Sequence, residues 1–142
     1  MEKIIVSACL LGIPCRYDGK SKPVEQVIAL KSKFELIPVC AEVLGGLSTP
    51  RISAEIVGDR VIRTDGVDVT YEYNKGASEA LKIAKENGCR IAILKSKSPS
   101  CGKGKIYDGT YTRTLIEGNG ILTSLFIKNH IKVYSETEID KL

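Results

Sequence analysis

Tryptophan is absent from this 142-residue sequence, and histidine and methionine occur once each. The single histidine, His130, follows a helix-like segment far along the chain, where a helix end or the surface is its ordinary place. No two of the five cysteines stand as C-x-x-C, which removes the common zinc and thioredoxin-like patterns. Neither a Walker loop nor the dinucleotide G-x-G-x-x-G pattern is present. No apolar run approaches the roughly 20 residues of a membrane-spanning helix. The opening Met1-Glu2-Lys3-Ile4-Ile5-Val6 runs directly into a strand-like segment with no cleavable leader, so a soluble, cytoplasmic protein is expected. A dominant charge sign is lacking too: 21 Lys and Arg against 17 Asp and Glu leave a net charge of +4. The basic residues are scattered rather than gathered into the patch a nucleic acid requires, so no stable nucleic-acid partner is expected. A small anionic molecule would suit the mild excess.

What is present is enough for one hydrophobic core, with 43% hydrophobic and 27% charged residues, and a single domain spanning residues 1–142 is expected. Residues 3–8 form a β-branched run read as a buried strand ending at Cys9, and a turn-rich loop covers residues 12–22. Pro23 suits the first turn of a helix capped by Ser21 or Lys22. Residues 34–39 form a second strand ending at Cys40, and residues 41–53 read as a shaping loop with two adjacent glycines. A short β-hairpin about Gly58-Asp59 fits residues 55–63. Asp68 or Thr70 can cap a helix running to about Asn87, where Ala77, Ala80, Leu81 and Ala84 form an apolar stripe and Gly88 supplies the stop. A third strand covers residues 90–95, then a long irregular loop, a helix capped by Asn119, a last strand over residues 131–134 and a polar tail. The alternation implies an α/β fold with a mostly parallel sheet flanked by helices, Rossmann-like in outline.

In such sheets ligands bind beyond the carboxyl ends of the strands. Cys9, Cys40 and Cys101 each follow a different strand and are delivered to that edge, whereas Cys89 is placed as a core cysteine would be. Buried thiols are also ordinary core residues, so a shared site and a packing role both stand. If shared, three thiolates without histidine form a soft site, favouring iron–sulfur chemistry over hard cations. Three thiolates leave one iron of a cubane cluster free for substrate, while an electron carrier would need a fourth ligand, for which Cys15 is the candidate. The loop from Lys95 to Lys105 mixes hydroxyls, glycines and lysines, and Gly102, Lys103 and Gly104 could present an anion nest. Glu42 lies in an apolar stretch two residues after Cys40; it is either a general acid or base of raised pKa or a solvated loop carboxylate. The run Arg16-Tyr17-Asp18-Gly19 is a substrate loop or an Asp-Gly turn.

The strings Ser7-Ala8-Cys9-Leu10-Leu11-Gly12, Cys15-Arg16-Tyr17-Asp18-Gly19, Pro38-Val39-Cys40-Ala41-Glu42-Val43-Leu44-Gly45-Gly46-Leu47-Ser48-Thr49-Pro50-Arg51 and Ser98-Pro99-Ser100-Cys101-Gly102 resemble the thiouracil desulfidase family across nearly the whole chain. The resemblance implies a 4Fe-4S cluster held by three cysteines and non-redox desulfuration of thiouracil or 4-thiouridine monophosphate. It implies Cys9, Cys40 and Cys101 as cluster ligands, Glu42 as the catalytic acid or base and Ser98 as an assisting hydroxyl. Ala41 departs from the family's frequent Cys-Pro-Glu string. The additional domain of relatives that act on transfer RNA is missing, which implies a free base or nucleotide as substrate. The readings from other classes are an iron–sulfur electron carrier and a nucleotide-binding module with structural thiols.

Overall fold

The computed structural model describes residues 1–142. In chain order, β1 (Glu2–Ser7) runs into a 3-10 turn (Ala8–Leu11), and α1 (Glu25–Ile28) continues as a second 3-10 turn (Ala29–Ser32) before β2 (Phe34–Val39). Next come α2 (Ala41–Leu44), the hairpin of β3 (Ala54–Val57) and β4 (Arg60–Arg63), α3 (Thr70–Glu86) and β5 (Ile91–Leu94). A second hairpin, β6 (Lys105–Tyr107) with β7 (Leu115–Glu117), precedes α4 (Ile121–Lys128), β8 (Lys132–Ser135) and a closing 3-10 turn (Ile139–Lys141).

Strands β2, β1, β5 and β8 pair in that order, all parallel, with Ile5 opposite both Ile37 and Ala92, and Ala92 opposite Val133. Alternation along each strand splits the core in two. Ile5, Ala92, Leu94 and Val133 meet Ala77, Ala80 and Ala84 of α3 and Leu122 and Phe126 of α4. Ile4, Val6 and Ile93 meet Leu10, Cys9, Cys15 and Val27 on the other face. The expected α/β fold is therefore present, with unequal layers: long helices on one face and four-residue turns on the other. No helix is long and apolar enough to cross a membrane.

Several local expectations hold for the stated reasons. The β3–β4 hairpin turns at Gly58-Asp59, with Gly58 at φ 64°. Gly88 beyond the end of α3 adopts φ 65°, whereas at its start Val69 holds the cap position in place of Asp68 or Thr70, and Asp68 just before it accepts the Thr70 N–H at 2.9 Å. Others are corrected. Helix α1 begins at Glu25 rather than at Pro23, because the N–H groups of Lys22 and Val24 bond back to the Cys9 and Leu10 carbonyls and keep that stretch extended. Asn119 does not cap α4; Gly120 holds that position, while Asn119 Oδ1 accepts the Gly104 N–H at 2.8 Å. The loop expected to be irregular contains the β6–β7 hairpin, and the shaping loop after Cys40 opens with helix α2.

Helix α2 lies directly on α3. A Cβ on Gly76 would stand 1.7 Å from the Ala41 carbonyl oxygen, and one on Gly45 would stand 2.0 Å from that of Glu72. Backbone meets backbone at both places, so neither neighbour can yield by rotating a side chain. Gly76→Ala is expected to destabilise the protein by at least the roughly 1–3 kcal/mol typical of overpacking. Denaturant titration reads this as a lowered midpoint, and an unchanged midpoint would contradict the close approach.

Candidate active site

The strand ends bring the thiols to one edge. Cys9 lies in the turn after β1, Cys40 immediately precedes α2 beyond β2, and Cys101 lies in the loop after β5. Cys15 lies near them: it is buried in the same cluster as Cys9, with Cys40 packed against that cluster, and both neighbouring thiols influence its ionisation. The Cys40 thiol donates to the Cys15 carbonyl at 3.7 Å. Cys101 is buried, with the Cys40 thiol and the Glu42 carboxylate near enough to influence its ionisation, and Ser7 Oγ stands 3.4 Å from its sulfur. Cys89 instead neighbours Lys3, Glu2 and Glu35, at the opposite end of the strands.

Of the thiols at this edge, Cys15, Cys40 and Cys101 resist ionisation. Burial pushes the Cys101 thiol up to about 12, against the pull of Ser7. The bond to Cys15, then burial, raises Cys40. For Cys15 the largest influence, Cys40, pulls downward, but Cys9 and burial together outweigh it. A cationic metal centre is the partner that would turn such thiols into thiolates. No three Cys, His, Asp or Glu side chains stand close enough to share a single ion. The donor set fits an iron–sulfur cluster, whose irons are held by separate thiolates. The orphaned Ser100 hydroxyl, buried without a partner on the residue before Cys101, points the same way, because a thiolate there would supply its acceptor.

Glu42 occupies the first turn of α2. Its surroundings are not the apolar ones its neighbours in sequence imply: Oε1 accepts Arg51 Nε at 3.0 Å and Tyr73 O–H at 2.9 Å. The remaining Arg51 donors reach the Ser48 carbonyl, Thr49 Oγ1 and the Cys15 carbonyl, so one side chain binds the Cys15 loop to the Glu42 helix. Burial first, then the nearby Glu42 carboxylate, pushes the Tyr73 phenol up and keeps it a neutral donor. Its reach to Glu42 follows from the contact at Gly45 and Gly76. Sequence reasoning missed Arg51 and Tyr73, which lie nine and 31 positions from Glu42.

Ser98 Oγ accepts the N–H groups of Ser100 and Cys101 at 3.0 and 3.1 Å. The rest of the expected anion nest is internally occupied. The Gly102 N–H bonds the Ser98 carbonyl, the Gly104 N–H bonds Asn119, and Lys103 Nζ meets both Glu138 oxygens at 3.0 Å above the Tyr134 ring. Glu136 likewise accepts Ser96 N–H and O–H and pairs with Lys95 at 3.3 Å. The polar tail thus fastens the loop that carries Ser98 and Cys101. Arg16 is looser: it pairs with Asp18 at 3.8 Å and lies 5.7 Å from the Tyr17 ring centre.

The chain belongs to the 2-thiouracil desulfurase family, which it matches over residues 4–138. Among solved structures it is similar to the [4Fe-4S]-dependent thiouracil desulfidase TudS, with 45% identity and a TM-score of 0.96 over 100% of this chain and 95% of that one. It is also 39% identical, over 149 aligned positions, to the uncharacterised protein YbbK of Bacillus subtilis (strain 168), covering 98% of this chain and 99% of that protein.

The fastening by Glu138 has a pH signature. Burial works against its charge, but the Ser135 N–H and the Lys103 ammonium outweigh that and hold the carboxyl down at about 2. A depressed folded-state pKa contributes stability at neutral pH that is lost as the pH falls from about 4.5 toward about 2. Glu138→Gln is expected to lower stability at pH 7 and to flatten the decline across that window, measured by denaturant titration at stepped pH.

Proposed function

We propose that this protein is a [4Fe-4S]-dependent desulfidase that exchanges the sulfur of thiouracil for the oxygen of water, releasing uracil and hydrogen sulfide. The observation that carries this reading is Glu42, held at one oxygen by Arg51 and Tyr73 and neighbouring Cys101 at an edge where buried thiols from separate strand ends collect. An electron carrier has no use for such a carboxylate. Membership of the family and likeness to a cluster-dependent desulfidase support the same reading.

Cys9, Cys40 and Cys101 hold the cluster, which when bound supplies a soft Lewis acid for the thione sulfur. Glu42 uses Oε2, the oxygen left by Arg51 and Tyr73, to take a proton from the water that attacks the thione carbon. Ser98 works in the opposite sense. Both of its lone pairs are engaged by backbone N–H groups, so its hydroxyl can only donate, and it gives its hydrogen bond to the substrate or the departing sulfur. The four-residue helix and its clamp keep the base in place between turnovers.

For the nucleotide form of the substrate, Arg16 is the group to receive a phosphate, since Gly102, Lys103 and Gly104 have partners of their own. A charge-assisted bond to Arg16 contributes about 1.5–3 kcal/mol. The thiolated monophosphate is then the better substrate, and Arg16→Gln should erase about tenfold or more of its advantage in kcat/KM over free thiouracil. Equal efficiency on both substrates would restrict the site to the base.

Anaerobic iron and sulfide analysis with absorbance spectra tests the central reading. Serine in place of Cys9, Cys40 or Cys101 should abolish iron binding, and Cys89→Ser should retain it. Glu42→Gln should keep the cluster while turnover falls about 10²–10⁴-fold, with a smaller fall for Ser98→Ala. Loss of iron in Cys15→Ser with retention in Cys40→Ser would move the third anchor to Cys15, and full activity in Glu42→Gln would remove it as the base.

A further inference from the structure

Two hydroxyls converge on Cys101 from separate parts of the chain. Ser7, the last residue of β1, sets its Oγ 3.4 Å from the Cys101 sulfur in the interior. The same oxygen accepts the Lys95 N–H at 2.9 Å, so the Ser7 hydrogen is left to donate to sulfur. Ser100 directly precedes Cys101 in the chain and is 1% exposed, and its hydroxyl has no hydrogen-bond partner. An unpaired buried hydroxyl is destabilising, and native structures rarely keep one without a use. A neutral thiol is a weak acceptor, whereas a thiolate draws short, strong hydrogen bonds from hydroxyls, the more so in a dry interior.

We propose that Ser7 and Ser100 are positioning residues for the cluster: both donate O–H···S bonds to the Cys101 thiolate, withdrawing charge from it and sharpening the Lewis acidity of the iron it anchors. The proposal rests on the desulfidase reading. Partners of this kind, one step removed from a metal, orient its ligands and tune it. Here one partner comes from the sheet and the other from the ligand's own loop, so Cys101 is fixed from two directions. The Ser7 bond also ties that ligand to the strand that delivers Cys9.

Ser100→Ala is the discriminating variant, because the hydroxyl it removes has no other partner. In cluster-free protein its thermal midpoint should equal or exceed that of the wild type. In reconstituted protein the sign reverses. A hydrogen bond to sulfur favours the more reduced cluster, so its loss should move the one-electron midpoint negative by about tenfold in the equilibrium constant, about 59 mV. Iron should also pass to a ferrous chelator several-fold faster, and kcat for thiouracil should fall with KM unchanged. Ser7→Ala should act in the same direction but also unpairs the Lys95 N–H. If it does not fold, Ser100→Ala decides alone. A fully loaded Ser100→Ala protein with wild-type potential and iron release would overturn the proposal while leaving the desulfidase reading intact. A wild-type protein that takes up no iron and sulfide would overturn both.

Discussion

Where α2 crosses α3, the space a methyl group would need is filled by peptide backbone at Gly45 and Gly76. A helix of four residues has no stability of its own, since it barely exceeds the nucleus that helix formation must overcome. Its position is therefore borrowed from the 17-residue α3 against which it lies. Cys40 at its start and Glu42 in its first turn inherit that position, and Tyr73, three residues before Gly76 on α3, comes within hydrogen-bond reach of Glu42. Arg51 completes the frame from the following loop and carries it across to Cys15. The carboxylate, two of the thiols and the loops between them are thus located by one backbone contact.

Much of the frame was legible because its signals are local. The strands announce themselves as apolar runs, the Gly58-Asp59 turn has its required left-handed glycine, and α3 carries its apolar stripe and its stop within its own sequence. The edge to which Cys9, Cys40 and Cys101 are delivered followed from parallel topology alone. The supporting shell was not legible, because its partners meet only after folding. Arg51 is one of 21 basic residues and Tyr73 one of six tyrosines, with nothing nearby to mark either as a companion of Glu42. Asn119 has the chemistry of a helix cap, but the first N–H groups of α4 bond the Pro99 and Ser100 carbonyls, and the Asn119 oxygen accepts the Gly104 N–H instead. The three-residue strands of the second hairpin are too short to show a period, and β7 is exposed throughout.

The basic residues of the long loop illustrate how composition misleads about role. Lysines beside glycines suggest anion capture, yet Lys95 and Lys103 turn toward Glu136 and Glu138. Their work is mechanical: they join the loop that bears Ser98 and Cys101 to the segment after β8, with the Ser96 and Ser135 amides adding backbone bonds to the same carboxylates. What reads in sequence as a polar tail is half of a fastening.

The way Ser98 is held also decides which reagents can reach the site. Acylating and sulfonylating agents directed at serine need a lone pair on the hydroxyl oxygen, and both lone pairs of Ser98 are engaged by the Ser100 and Cys101 amides. Such compounds meet no nucleophile there, however closely they resemble the substrate. Chemical vulnerability passes instead to sulfur. Cys101 is shielded by burial and a raised pKa while neutral, and by the metal once bound, so covalent inactivation belongs to soft electrophiles acting as cluster and thiols part.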